Sequence, residues 1–500
     1  MIGTSTPEYV FIRASIVCLR AITPLSILYC GFCVLRPPRS TFSTVLAAWA
    51  AVETTFYFIV YLPRRYYLQR PTPHPTLLSR ERRQILFQRC YQTISNPERY
   101  LTNWFLGSPL SEIRRENIKD FFRWAFLNTG DSDASDNEEL EGYVSRVEEL
   151  LERPIEPGRG RAKCLRLTID RVDMMHRSFA WYMVVGIVDT AAAAYLRFKS
   201  FRFYGIPLRR FFSVFPLRFF SLLSSHRSPS SHISYWYRPH TSKARLPVLF
   251  IHGIGIGLYP YARFLAEINT KDEFQASDGE IGVIAIEIMP ISFRITGAAL
   301  RKDEMCKEIN AIVKKHGWDK FVLASHSYGT VVSTHLLQTP EIAHKIGPML
   351  LIDPVTLLLH LPDVAYNFTA RKPRGANEHQ LYYFASKDMG VAHTLCRHFF
   401  WSENILWKED IIGRSVTAVL GGRDLIVDTE AVGRYLVGAN DGNWEDGSWK
   451  EDPWIGEGLD VLWFTQCDHA QAFERKETRQ KLVDVIKGYS QRGEQLIDIA

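Results

Sequence analysis

The sequence predicts an α/β protein whose largely parallel sheet is covered by helices on both faces. Short apolar runs are typical of buried strands, and segments with helical spacing alternate with them. The strands are Pro247–Ile251, Ile281–Ile288 and Phe321–Ala324, and the clearest helix is Arg301–Lys315. Because parallel strands need crossover connections of helical length, this alternation favours a parallel sheet.

Length and composition are those of a globular chain. Its 500 residues suffice for two or three domains, and 46% apolar and 23% charged residues are ordinary values. The eight cysteines are mostly scattered, which predicts reduced thiols rather than a disulfide framework. Cys30 and Cys33 have CxxC spacing but lie in an apolar run without a second pair, so we expect no metal or redox site there.

Two apolar segments predict a membrane anchor within residues 1–70. Ile12–Leu35 contains two arginines, whereas Thr41–Leu62 is about membrane length by the ~20-residue criterion and contains one acid. An uncleaved anchor of one or two transmembrane helices fits better than a signal peptide, because a basic start and a clear cleavage site are lacking. The arginines between 64 and 99 predict that the bulk of the chain that follows faces the cytoplasm.

Residues 71–240 are predicted to form a helical region. An aromatic-rich group in this region has two interpretations, a small helical core or a surface that faces an acyl chain or the membrane. The members of the group are Trp104, Phe105, Phe121, Phe122, Trp124 and Phe126.

The end of the helical region favours contact with a membrane. Phe179–Leu196 is apolar but contains Asp189, so we expect a buried or interfacial helix rather than a third span. Ten Lys or Arg and no acid lie in 197–245, a composition that suits nucleic acid or anionic lipid. The neighbouring apolar segments favour lipid, with Arg197–Leu223 against the headgroups, and we expect no nucleic-acid partner. Ser224–Ser234 is expected to be a linker.

Residues 241–500 contain the predicted α/β domain. A long aromatic-rich insertion at about 357–412 interrupts the alternation of strands and helices and has the position of a lid. Within it, Gln380–Ala385 is expected to be a short strand. The later strands of the sheet are predicted at Pro348–Ile352, Ser415–Leu420 and Val461–Phe464.

A candidate nucleophile lies between a strand and a helix. Phe321–Ala324 leads into Ser325-His326-Ser327-Tyr328-Gly329, and an apolar-periodic segment follows. A sharp turn of this kind lifts the central serine hydroxyl above the sheet. Strand and helix nearly touch on either side of it, which requires small residues; Gly329 meets this need, and Ser325 stands where glycine is commoner.

The partners of such a serine are expected in the order acid, then histidine. A serine hydroxyl needs a base to remove its proton and a third group to orient the base. Asp424 follows the strand that ends at Leu420, and His469 follows the strand that ends at Phe464. Asp353, after the strand before the insertion, is the alternative acid.

The loop after the first strand of this domain offers an oxyanion hole. The amides of Ile254 and Tyr328 are expected to hold the negative oxygen of a tetrahedral intermediate. Gly253 and Gly255 allow close backbone approach, and His252 is expected to brace the loop. The loop is weak evidence for a nucleotide site, since no Walker lysine or ribose-binding acid accompanies it.

Together these motifs resemble the α/β-hydrolase superfamily over about residues 241–490, roughly half of the chain. The resemblance implies Ser327 as nucleophile, His469 as base and Asp424 as orienting acid. The longer glycine-rich loop and the membrane segments are similar to poorly characterised membrane-anchored fungal hydrolases, a likeness that implies no substrate. The motifs are HG at 252–253, SHSYG at 325–329, GGRD at 421–424 and DHA at 468–470.

The expected function is that of a membrane-anchored serine hydrolase acting on a lipid or another apolar acyl ester. Membrane lipids are expected partners, and neither a metal nor an organic cofactor is required. Acyl transfer by the same three residues is an alternative, because the motifs do not separate water from another acceptor. A catalytically inactive membrane scaffold is the other alternative.

Overall fold

The computed structural model describes residues 2–269, 278–438 and 447–491. These residues form nine strands and 18 α-helices. The strands are β1 (Arg202–Gly205), β2 (His226–Arg227), β3 (Ser234–Arg238), β4 (Val248–Ile251), β5 (Val283–Glu287), β6 (Phe321–His326), β7 (Ile346–Ile352), β8 (Val416–Gly421) and β9 (Leu459–Phe464). The helices before the sheet are α1 (Thr6–Leu35), α2 (Thr41–Thr55), α3 (Leu62–Tyr67), α4 (Arg80–Gln92), α5 (Pro97–Trp104), α6 (Arg115–Leu127), α7 (Asn137–Leu151) and α8 (Phe179–Phe198). The remaining helices are α9 (Ala262–Glu267), α10 (Lys302–Lys315), α11 (Tyr328–Leu337), α12 (Pro340–Ala343), α13 (Pro362–Ala365), α14 (Ala376–Gln380), α15 (Met389–Arg397), α16 (Trp401–Asn404), α17 (Thr429–Val437) and α18 (Lys476–Gln491).

The nine described strands form one sheet in the order β2-β1-β3-β5-β4-β6-β7-β8-β9. From β5 to β9 each neighbouring pair is parallel, whereas β3 is antiparallel to both β1 and β5. Parallel strands end at a common edge, so the loops after β4, β6, β7, β8 and β9 meet there.

The central strands are buried on both faces. Along β4, Val248 and Phe250 belong to one hydrophobic core, and Leu249 and Ile251 belong to the other. All four side chains are buried, because successive residues of a strand point to opposite faces and each face packs against helices. The predicted fold class is confirmed.

The sheet begins earlier in the chain than the expected boundary at residue 241. The strands β1 to β3 come from residues 202–238, and β2 lies in the expected linker. The serines there are hydrogen-bonded instead: Ser224 Oγ donates to the Phe203 carbonyl, and Ser230 Oγ accepts from the Ile233 amide. Strands this short are defined by the partner they pair with rather than by their own residues. The expected domain bounds stay a prediction.

In the described part of the chain, three helices are long and apolar enough to cross a membrane. They are α1, the continuous helix Thr41–Tyr67 and α8. The first half of α1 packs on the insertion through Ile12 and Ile16, whereas Leu25 and Leu28 further along are 61% and 70% exposed. Exposed apolar side chains along paired helices are typical of a membrane anchor.

Residues 357–412 connect β7 to β8 and form α13 to α16 with two π-helical segments, Tyr366–Ala370 and Leu381–Ser386. The strand expected at Gln380–Ala385 is therefore wrong, because α14 continues into the second π-helical segment. A short apolar run cannot be assigned by periodicity, and here the burial of Tyr383 against α1 accompanies the helical form.

Candidate active site

The serine turn has the geometry that its sequence predicts. Ser327 joins β6 to α11 with φ 50° and ψ −121°, a strained conformation that projects its side chain away from both elements. A β-carbon on Gly329 would overlap the carbonyl oxygen of Ile251 and lie 2.9 Å from its carbonyl carbon, so this position requires glycine. Ser325 is fully buried and pairs with Ile251 and Leu351 on the adjacent strands, where its small side chain fits.

Three predicted side chains form a continuous hydrogen-bonded row. His469 Nε2 lies 2.8 Å from Ser327 Oγ, and His469 Nδ1 lies 2.7 Å from Asp424 Oδ2. The other Asp424 oxygen accepts from the amides of Ile426 and Val427 at 2.7 and 2.9 Å. These amides fix the carboxylate, which in turn fixes the imidazole with Nε2 towards the serine.

The pKa of His469 is raised to about 9. Burial alone disfavours the charged ring, but the Asp424 carboxylate outweighs it, and Asp353 and Asp468 add to the attraction. Above this pKa, Nε2 is free of its proton and can accept the one on the Ser327 hydroxyl.

Asp353, the alternative acid, belongs to a second set of buried hydrogen bonds, which also includes His326 and Tyr261. Its carboxylate lies 3.3 Å from His326 Nε2 and accepts from the Ala470 amide at 2.7 Å. Tyr261 OH lies 2.8 Å from His326 Nδ1 and accepts from the Gly253 amide at 3.2 Å. Because the Asp353 carboxylate only accepts, the proton of the neutral His326 ring is on Nε2, and Nδ1 accepts from the Tyr261 hydroxyl. These hydrogen bonds stabilise the serine turn and the loop that carries His469, and none of them involves His469 Nδ1.

Sequence reasoning missed Tyr261, Asn377 and the role of Asp468. The Asp468 carboxylate accepts from the Asn377 side chain at 2.7 Å, and from the amides of Leu425 and His469 at 3.0 and 2.7 Å. Asp468 thus links the loop that carries Asp424 and the loop that carries His469 to α14. No local motif marks these residues, because the contacts that define their roles are long-range: Asn377 and Asp468 are 91 positions apart, and Tyr261 and His326 are 65 apart.

The two amides expected in the oxyanion hole are free to bind. Among the described residues, neither Ile254 N nor Tyr328 N has a hydrogen-bond acceptor. His252 Nε2 accepts from the Ile288 amide at 2.9 Å, so its proton is on Nδ1, which donates to the Gly253 carbonyl at 2.7 Å. Burial lowers the pKa of His252 to about 4, consistent with a neutral ring that braces the loop.

The glycines of this loop differ in their surroundings. A β-carbon on Gly253 would lie 2.7 Å from His326 Nδ1 and 2.8 Å from Ser327 Cβ, whereas one on Gly255 would meet nothing within 4 Å. Close approach is therefore required at the first glycine. The second contributes its amide, which donates to the Ile291 carbonyl at 3.2 Å.

Ser327 opens into an apolar cavity of about 660 Å³. The indole N–H groups of Trp104, Trp124 and Trp401 donate to His360 O, Thr168 Oγ1 and Ala125 O. Since these donors are satisfied within the protein, the rings offer carbon surface to the cavity. The wall includes Trp104, Trp124 and Leu167 from the helical region and Leu359, Phe368, Leu395, Phe399 and Trp401 from the insertion, with Ile254 and Tyr328 beside the serine.

A metal has a poor fit at the one candidate cluster that the described residues contain. His326, Asp353 and His469 offer ligand atoms within 4.8 Å of one another. Both nitrogens of His469 already contact Ser327 and Asp424, so a metal bound by this ring would displace one of them.

No family model matches the chain, and no curated protein matches it. Solved structures with a similar fold include a membrane phospholipase A, a bacterial virulence factor, at 15% identity and a TM-score of 0.35, covering 62% of this chain and 94% of that one. Carboxylesterase CesB from Bacillus subtilis has 11% identity and a TM-score of 0.31, over 52% and 90% of the two chains. Naproxen esterase from Bacillus subtilis has 10% identity and a TM-score of 0.33, over 51% and 88%.

At such low identities and scores, the fold assignment rests on the strands themselves. The sheet is mostly parallel with one antiparallel strand, β3, inside it and helices on both faces. A serine occupies the sharp turn after β6, and an acid and a histidine follow β8 and β9 in that order. The chain therefore has a fold of the α/β-hydrolase type.

Proposed function

We propose that this protein is a membrane-anchored serine hydrolase that cleaves carboxylic esters of apolar acyl groups. The observation that carries the proposal is the 2.8 Å contact between Ser327 Oγ and His469 Nε2 at the wall of an apolar cavity. The other two components of the chemistry are the Asp424 carboxylate behind the imidazole and two free amides beside the serine.

In the first step, Ser327 Oγ attacks the ester carbonyl and its proton passes to His469 Nε2. The carbonyl oxygen becomes negative and accepts from the amides of Ile254 and Tyr328. Collapse of this intermediate breaks the bond to the alcohol, which leaves with the proton from His469. The acyl group stays on Ser327.

In the second step, water attacks the acyl-enzyme while His469 takes one of its protons. The same two amides hold the second oxyanion, and collapse returns the proton to Ser327 Oγ and releases the carboxylic acid. Asp424 remains ionised throughout and stabilises the imidazolium each time it forms.

The apolar acyl preference follows from the cavity wall. Besides Ser327, the polar side chains that line the cavity are those of Tyr328 and Thr369, and the three indole N–H groups already donate to other protein atoms. Polar acyl groups would lose hydrogen bonds to water without replacement, whereas burial of each methylene contributes about 0.8 kcal/mol. The candidate membrane spans of the same chain support a lipid ester as the substrate.

Labelling of the detergent-solubilised protein with a fluorophosphonate tests the proposal. We expect labelling of the wild type and of Ser325→Ala, whose hydroxyl is buried, and none of Ser327→Ala. Labelling that survives in Ser327→Ala places the nucleophile elsewhere. Absence of labelling in a folded wild type favours the inactive scaffold, and product analysis with a competing alcohol separates hydrolysis from acyl transfer.

A further inference from the structure

A second cleft lies beside the apolar cavity and differs from it in chemistry. This polar cleft of about 670 Å³ is lined by Arg301, Lys302, Asp303, Glu403, Asn404 and Tyr328 among others. Tyr328, the residue after the nucleophile, lines both spaces. The apolar cavity and the polar cleft therefore adjoin at this one residue.

The charges around the polar cleft are unpaired. Among the described residues, the side chains of Arg301, Asp303 and Glu403 have no ion-pair or hydrogen-bond partner, and Lys302 Nζ donates only to Gln338. This contrasts with the many arginines elsewhere in the chain that are paired with carboxylates. Two cationic and two acidic side chains thus line one cleft without a direct ion pair between them among the described residues.

The inner part of the cleft contains an orphaned polar group. Asn404 is 2% exposed, and its Nδ2 has no acceptor among the described residues, although its Oδ1 lies 2.8 Å from His335 Nε2. Burial raises the pKa of Glu403 on the same short helix. The buried Asn404 donor lacks an acceptor, and the half-buried Glu403 carboxylate lacks a direct ion pair, so a bound polar ligand would give both groups a partner.

The cleft also lies close to the end of a candidate membrane span. That helix ends at Tyr67, and Thr72, five residues later, lines the cleft. Tyr66 and Tyr67 are 77% and 56% exposed, as expected for tyrosines at a membrane–water interface. Five residues reach at most about 17 Å, and the headgroup layer on each side of a bilayer is about 5–8 Å thick. The cleft is thus within reach of lipid headgroups.

We propose that the polar cleft binds the zwitterionic headgroup of a phospholipid whose acyl ester is presented to Ser327. The phosphate would lie against Arg301 and Lys302, and the ammonium group against Glu403 and Asp303. The acyl chain would occupy the apolar cavity on the other side of Tyr328. The assignment of this lipid as substrate rests on the proposed hydrolase function, whereas headgroup binding does not require catalysis.

Calorimetric titration of the full-length Ser327→Ala protein with glycerophosphocholine tests headgroup binding without turnover. We expect saturable binding that weakens about tenfold when Arg301→Ala or Glu403→Gln is added, the loss of one charge-assisted contact. Lys307→Ala, an exposed position of α10 that does not line the cleft, is the matched control and should bind like its parent. Inorganic phosphate and choline alone should each bind more weakly than glycerophosphocholine.

Two results of the titration would overturn the proposal. One is no binding of glycerophosphocholine, or equal binding by the parent and both cleft variants. The other is phosphate binding as tight as that of glycerophosphocholine with no effect of Glu403→Gln, which would make the cleft a simple anion site.

Kinetics separate this proposal from the proposed hydrolase function. With the catalytic serine intact, Arg301→Ala should raise KM for phosphatidylcholine vesicles about tenfold and leave hydrolysis of p-nitrophenyl butyrate unchanged. An equal change for both esters would overturn the headgroup assignment. A folded wild type that binds glycerophosphocholine but hydrolyses no ester would retain the headgroup site and reject the hydrolase.

Discussion

At the residue scale, two buried carboxylates compete for the role of orienting acid. Asp424 contacts His469 Nδ1 at 2.7 Å, whereas Asp353 contacts His326 and the Ala470 amide. Both approach the same edge of the sheet from neighbouring strands. Geometry favours Asp424, because only its carboxylate reaches the nitrogen opposite the serine.

Replacement of each acid by its amide tests this assignment. We expect Asp424→Asn to lower kcat on a soluble ester about 10⁴-fold, since an amide there favours the wrong tautomer of the imidazole. Asp353→Asn should lower kcat by no more than about tenfold, because it weakens bracing contacts worth about 1 kcal/mol. The opposite order of losses would transfer the role to Asp353.

The pH dependence of kcat/KM reports the pKa of His469 in the free enzyme. Because the base must be neutral, the rate should rise with pH with a midpoint near the pKa of about 9 rather than the ordinary 6.5. In Asp424→Asn the remaining activity should have a midpoint at lower pH, since the main attraction is lost while burial still disfavours the charge. A wild-type midpoint at or below 6.5 would contradict the assignment.

Two glycines of the loop after β4 provide a matched pair. Gly253→Ala should abolish activity, because its β-carbon would lie 2.7 Å from His326 Nδ1 and 2.8 Å from Ser327 Cβ. Gly255→Ala has open space within 4 Å and should keep activity within about threefold, a change under 1 kcal/mol. Rates on a soluble ester and Tm of both variants check this, and equal losses would show that the close approach is unimportant.

At the scale of elements, the Glu53 side chain connects the candidate span Thr41–Tyr67 to α8 by hydrogen bonds. Glu53 is fully buried, and its carboxylate accepts from the amides of Phe179 and Ala180 at 2.9 and 2.8 Å. These amides belong to the first turn of α8, where a helix has unsatisfied donors and favours negative charge. Glu53, the one acid in this apolar segment, thus caps the N-terminus of α8.

Removal of this cap should destabilise the protein. We expect Glu53→Ala to cost about 1–2 kcal/mol and to lower Tm in detergent, because two buried amides lose their acceptor. Glu53→Gln, which retains one acceptor oxygen, should lie between the wild type and the alanine variant. Similar Tm values for all three proteins would rule out a capping role.

The insertion is an element whose contacts extend in two directions. Its α14 packs against Ile12 and Ile16 of α1, and Asn377 of the same helix donates to Asp468 beside the base. Its later residues Phe399 and Trp401 line the apolar cavity. The position of the insertion is thus determined both by α1 and by the loop that carries His469.

At the scale of the whole molecule, a cluster of buried ion pairs connects α8 to the sheet at β5. Asp189 on α8 lies 2.9 Å from Arg218 and 3.0 Å from Arg294, and Arg218 also pairs with Glu287 of β5 at 2.7 Å. A helix crossing the bilayer alone would leave this acid in hydrocarbon. The cluster favours a helix that lies on the domain, although its length and hydropathy would allow a span.

Cysteine labelling tests the topology of α8. In a cysteine-free background, a single cysteine replaces either Asp173, shortly before α8, or Lys199, directly after it. We expect a membrane-impermeant maleimide to label both from the same side of intact vesicles. Labelling from opposite sides would make α8 a third span. The side itself would decide the predicted cytoplasmic orientation.

The sequence by itself determined what depends on neighbouring residues. Local patterns encode the strand, serine turn and helix at 321–337, the order of Ser327, Asp424 and His469, and the apolar helices that are candidate membrane spans. These features follow from side-chain periodicity and turn chemistry, which act over a few residues.

Only the tertiary structure decided which distant groups meet. Ser327 and His469 are 142 positions apart, and the register of the sheet brings them together with Asp424 rather than Asp353. Three other features likewise depend on partners elsewhere in the chain. They are the hydrogen bonds through Tyr261, the aromatic side chains of the helical region that line the apolar cavity, and the strands β1 to β3. Each of these contacts is one of several that sterics would allow, and the packing of the complete molecule determines which one forms.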